Sequence, residues 1–116
     1  SYQRYAEGHS LTREAMRFCW SAYLNEPADG ANAYAAPLRA TSLKDLPPAT
    51  VLVCEYDPLH DEGEAYARYL RDDGVAAQCV QLDGMIHAAM HMLGLTPAVR
   101  GLFDVAGKAM RQALAT

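Results

Sequence analysis

At 116 residues the chain has the length of one small domain or of a piece of a larger one, and its 51% apolar content is too high for a disordered tail. The net charge is −4 and the ten Lys/Arg are scattered, so no basic stripe exists for a phosphate backbone and nucleic acid is excluded as an expected partner. No apolar run reaches the ~18 residues of a membrane helix, so no membrane span is expected.

The opening residues, SYQRYAEGHS, carry no signal-peptide pattern, and the expected location is cytoplasmic. In LTREAMRFCWSAYL, Thr12 is placed to cap a helix and Glu14 lies in its first turn, where the helix dipole favours an acid. Ala15/Met16, Cys19/Trp20 and Ala22/Tyr23 recur at helical spacing and define one apolar face. A connection rich in Asn, Pro, Gly and Ala follows over 25–49. TVLVCEY is β-branched and almost wholly apolar, which predicts a strand over about 50–55 buried on both faces of a parallel sheet.

A helix is expected over about 62–73. Asp61 and Glu64 have the spacing of a capping box, Ala65, Tyr66, Tyr69 and Leu70 form the stripe, and Gly74 is the stop. AAQCVQL predicts a second strand over about 76–82, closed by Asp83-Gly84 and polar enough for a sheet edge. Thr96-Pro97 opens a last helix over about 97–114, with Val99, Leu102, Phe103, Ala106, Ala109, Met110 and Ala113 on its apolar face. Cys19, Cys54 and Cys79 lie in apolar segments without C-x-x-C spacing, so buried reduced thiols are expected rather than a disulfide or metal site.

Alternating strands and helices with short links predict the α/β class with a parallel sheet. Two strands make a poor sheet, and the first is too apolar to be an open edge. The chain is therefore expected to be the C-terminal part of a larger α/β protein.

Ligands gather at the carboxyl ends of parallel strands. Asp57 lies just past the first strand and His87 a few residues past the second. Neighbouring strands are ~4.8 Å apart, so their loops can bring a carboxylate against an imidazole. An acid that accepts Nδ1–H holds the ring in the tautomer needed by a Ser-His-Asp triad. Each residue also has an ordinary reading, Asp57 as a turn residue before proline and His87 as a satisfied loop histidine. The order acid, then histidine, favours the paired reading, because it is the order of α/β-hydrolases.

The segment from Leu46 to Met90 resembles the C-terminal region of the hormone-sensitive-lipase-like (family IV) carboxylesterases. Asp57-Pro58-Leu59-His60-Asp61-Glu62-Gly63 matches the family's D-P-L-x-D-E-G, and Gly84-Met85-Ile86-His87 matches its G-x-x-H thirty residues on. Upstream, LTREAMRFCWSAYL is similar to the cap helix over the acyl pocket, and ANAYAAPLRA to the return to the core. The resemblance implies a C-terminal portion of an α/β-hydrolase fold, with 1–35 as cap-type helix and return and 36–116 as core. It implies Asp57 as triad acid, His87 as triad base, and Met16, Phe18, Trp20, Ile86 and Ala88 as candidates for substrate contact. It further implies an ester substrate of short to medium acyl chain, a missing N-terminal half as partner, and an edge strand near 76–82 open to homodimer pairing.

Ala88-Ala89 replaces the family's Gly-Phe, and His60 replaces a frequent Arg. No G-x-S-x-G occurs, and none of Ser1, Ser10, Ser21 and Ser42 sits at a strand-to-helix elbow. Nucleophile and oxyanion hole are expected upstream of Ser1, and no cofactor is expected. A competing reading is a non-catalytic truncated module acting in protein association. His87 and His91 have the i, i+4 spacing of H-E-x-x-H but lack its Glu, so no metal is expected.

Overall fold

The computed structural model describes residues 1–115. Thr12 begins the first helix: its Oγ1 accepts the Ala15 N–H at 3.1 Å, and Arg13–Tyr23 follow as α1. Two 3₁₀ turns, Pro27–Ala31 and Pro37–Arg39, shape the connection that follows. Leu46-Pro47-Pro48 then delivers the chain to β1, Ala49–Tyr56. Helix α2, His60–Asp72, leads by way of Gly74 to β2, Ala77–Ile86, which pairs parallel to β1. Gly74 has φ +86°, a left-handed conformation that glycine adopts without cost. A 3₁₀ turn at Pro97–Val99 runs into α3, Arg100–Leu114.

Successive residues of a strand face opposite sides, and β1 uses both. Val53 faces α2, where Gly63 allows close approach, while Cys54 packs with Ala89 and Val99 on the other side. Leu70, Leu43 and Val75 form a second buried cluster under α2. Two polar contacts tie the 40–43 segment to that helix: Tyr69 Oη donates to the Ala40 carbonyl at 2.6 Å, and the Leu43 N–H donates to Asp73.

The structure corrects several expectations. β2 does not close at Asp83-Gly84 but runs to Ile86, because Gly84, at φ +72°, lets the strand bulge and resume. α2 starts at His60, so Asp61 and Glu64 lie inside the helix rather than forming a capping box. Asp57 takes the local capping task by accepting the Leu59 N–H, and Asp61 instead pairs with the Ser1 amine. Cys19 is exposed, because no described residue covers that face of α1 enough to bury it. The same holds for α3: Phe103 and Met110 are 45% and 62% exposed and Ala113 is exposed, while buried Val99 belongs to the preceding turn.

Candidate active site

Asp57 follows β1 directly and is 8% exposed. Its Oδ1 accepts the Leu59 N–H at 2.9 Å, an Asx turn across the buried Pro58. One oxygen is thereby held by the backbone, and the other is aimed. His87 follows β2 directly, and its Nδ1 lies 2.9 Å from Asp57 Oδ2. A carboxylate only accepts, so Nδ1–H is the donor in this contact. The His87 side chain is 34% exposed, against 11% for that of Asp57. The acid is enclosed and the imidazole reaches outward.

Both residues line an open cleft of about 1260 Å³. Met16 and Trp20 of α1 line the same cleft, so the structure brings four of the expected site residues together. Phe18 projects away and is 71% exposed. Ile86 is opposite Tyr56 in the sheet, and Ala88 takes a left-handed conformation at φ +61°; both flank His87 without lining the cleft. Leu59 and Tyr66 also line it; the helical spacing marks Tyr66 only as part of the packed stripe of α2, and Leu59 enters only as part of the D-P-L-x-D-E-G match.

Cys54 lies beneath the pair, and burial, followed by the charge of Asp57, pushes its thiol pKa up. It is a poor nucleophile there. Among the described residues, the group able to bring three metal-donor atoms together is His60, Asp61 and Glu64, not His87 with His91. Burial opposes charging His60, but hydrogen bonds to Gln81 and Asp61 and the charge of Glu64 outweigh it and raise its pKa. In that cluster His60 Nδ1 lies 3.3 Å from Asp61 and 4.0 Å from Glu64.

The sequence pattern of the alpha/beta hydrolase fold family matches residues 1–91. The chain belongs to the alpha/beta hydrolase fold family. This hydrolase-fold chain is 38% identical over 92 residues to an ethyl acetate hydrolase of Pseudomonas putida, covering 79% of the chain and 29% of that protein. It is 37% identical over 89 residues to an arylesterase of Saccharolobus solfataricus, with coverage of 76% and 29%. Among solved structures, a thermostable esterase from Pseudomonas putida superposes with a TM-score of 0.86 at 44% identity, over 91% of this chain and 34% of that one. EstE1, a carboxylesterase cloned from a metagenomic library, gives 0.92 at 36% identity, with coverage of 97% and 39%. The chain thus spans about a third of the length of these relatives. No helix among the described residues is long and apolar enough to cross a membrane.

Proposed function

We propose that this chain supplies the acid and the base of a serine carboxylic-ester hydrolase. The observation that carries the reading is the 2.9 Å contact between His87 Nδ1 and Asp57 Oδ2 at adjacent parallel strand ends, beside an open cleft. His87 Nε2 takes the proton of a serine hydroxyl as that oxygen attacks the ester carbonyl, and Asp57 stabilises the imidazolium that results. The proton then passes to the leaving alcohol. In the second half of the cycle His87 activates water, and the acyl group departs as the carboxylic acid.

The serine comes from outside these 116 residues. Ser1 Oγ donates to the Pro58 carbonyl, Ser21 Oγ to the Phe18 carbonyl and Ser42 Oγ to Asp73. Each is engaged in a hydrogen bond of its own, and neither they nor Ser10 stand in a G-x-S-x-G turn. Met16 and Trp20 offer an apolar wall to an acyl chain of short to medium length, as the hormone-sensitive-lipase-like resemblance implies. The free apolar edge of β1 and the uncovered face of α3 support burial against further polypeptide of the same enzyme. The outer edge of β2 near Gln78–Gln81 suits pairing with a second copy.

Hydrolysis of p-nitrophenyl butyrate tests the reading. The 116-residue chain alone should show no turnover above background, and the complete enzyme should lose about 10⁴-fold in kcat on Asp57→Asn. Turnover by the isolated chain that a serine reagent abolishes, or a near-normal rate for Asp57→Asn, would overturn it.

A further inference from the structure

The ladder between β1 and β2 is uneven where it reaches the site. Cys54 lies opposite Leu82, but Tyr56 lies opposite Ile86, so two steps along β1 correspond to four along β2. A regular ladder would place Gly84 opposite Tyr56 and Met85 beside Asp57. The two extra residues carry the register forward, so that His87 follows Ile86 just where Asp57 follows Tyr56. An even insertion also preserves the alternation of faces. Without the bulge, the imidazole would lie two residues beyond the acid.

A bulge leaves backbone groups without ladder partners, and they need another. Glu55, the residue between the two paired positions of β1, supplies one: its Oε2 accepts the Gly84 N–H at 2.7 Å. The bond is short, as expected when a carboxylate accepts. Gly84 has φ +72°, and a Cβ there would meet nothing within 4 Å. Backbone conformation, not lack of space, is what favours glycine at the bulge.

We propose that Glu55 is a positioning residue for the Asp57–His87 pair: its carboxylate clamps the bulge that brings His87 into register with Asp57. The proposal rests on reading that pair as the catalytic acid and base. Glu55 touches neither of them; it acts through the Gly84 backbone, three residues before His87. Released from the clamp, the strand end would sample other registers, and the imidazole would hold its bond to Asp57 for less of the time.

The test uses the complete enzyme and compares Glu55→Ala, Glu55→Gln, Gly84→Ala and Asp57→Asn. Kinetics on p-nitrophenyl butyrate are combined with titration by a covalent serine-directed phosphonate, which counts reactive sites. Glu55→Ala should lower kcat roughly 10- to 100-fold, the loss of one bond to a charged acceptor, with KM nearly unchanged. Glu55→Gln keeps the accepting oxygen and should recover most of that loss. Gly84→Ala should strain the same bulge, and combined with Glu55→Ala should cost less than the two losses multiplied. The proposal fails if Glu55→Ala keeps kcat within about two-fold of wild type while Asp57→Asn abolishes turnover. It also fails if the loss follows only a lower count of reactive sites, or if Glu55→Gln is no better than alanine. Wild-type turnover in both Asp57→Asn and Glu55→Ala would instead remove the acid–base reading itself.

Discussion

Gly63 lies in the first turn of α2, where α2 crosses β1. A methyl group added there would sit 2.5 Å from Val53 Cγ1 and 3.7 Å from Val51 Cγ1. Ordinary carbon contacts are about 3.5–4.0 Å, so the helix and strand must part by about an ångström. Val53 gives little, since it is 6% exposed and a β-branched side chain has few rotamers. Two effects compete in Gly63→Ala. Helix propensity favours alanine by about 1 kcal/mol, and overpacking costs about 1–3 kcal/mol. We expect a net destabilisation of about 1 kcal/mol. Val53→Ala alone should cost about 2 kcal/mol for the lost methyls and the space left behind. With Val53 already shortened, Gly63→Ala should become stabilising, giving a coupling of about 2 kcal/mol across the pair. Urea unfolding of the complete enzyme, followed by circular dichroism, measures all four corners of the cycle. Ester turnover should fall in Gly63→Ala and recover in the double variant, because Asp57 and Pro58 immediately precede the displaced turn. An additive cycle, with Gly63→Ala stabilising beside an intact Val53, would refute the packing argument.

His87→Ala should remove nearly all turnover, whereas exposed His91, in the turn Ala89–Met92, should be replaceable by Ala with little loss; equal losses restored by added zinc would point to a metal instead. Trp20→Ala should raise KM for longer acyl esters by about ten-fold, the value of one aromatic contact with the acyl chain, while Phe18→Ala, projecting away from the cleft, should leave it unchanged. Asp73 accepts the Leu43 N–H and the Ser42 hydroxyl, and the Leu43 bond first of all holds its carboxyl below the usual range. A depressed folded pKa stabilises fully above the ordinary aspartate value and is lost as pH falls through the folded one, so Asp73→Asn should flatten the acid limb of an unfolding-midpoint profile. Ala88→Gly should stabilise the enzyme by about 0.5–1 kcal/mol in thermal unfolding, because an alanine at φ +61° carries a Cβ penalty that glycine escapes.

The elements written in local chemistry were legible. Thr12 caps as its side chain dictates, the run Thr50–Cys54 is a strand, and Gly74 ends α2. Misreadings arose where one local signal serves two structures. Asp83-Gly84 has the chemistry of a terminating turn, yet a left-handed glycine equally permits a bulge within a continuing strand, and only pairing with β1 decides between them. The spacing of Asp61 and Glu64 suits a capping box, but Asp57 had already taken the Leu59 N–H, so the helix began earlier. Periodicity identified the apolar faces of α1 and α3 without saying what covers them, which is why Cys19 and Met110 are exposed. The contact between Asp57 and His87 was readable because both residues follow the ends of adjacent parallel strands. Tyr66 and Leu59 were not, because cleft walls depend on how α2 crosses the sheet.

Asp57 and His87, the proposed acid and base, are held in different ways, and the difference follows from the two strand ends. Asp57 is held at both oxygens, one by the Leu59 N–H and one by His87, and is buried. His87 is bonded to the acid through Nδ1 alone, and its backbone sits between an irregular strand end and the left-handed Ala88. A group that must accept a proton from one partner and deliver it to another profits from such freedom, while the group that orients it does not. In the roles proposed above, the regular strand would carry the acid and the bulged strand the base. That arrangement also makes the bulge the place where the site is most sensitive to remote change. A displacement at Asp57 would disturb the packed seam between Val53 and Gly63, whereas on our proposal a displacement at His87 would start from the loss of the Glu55 bond to the exposed Gly84 N–H.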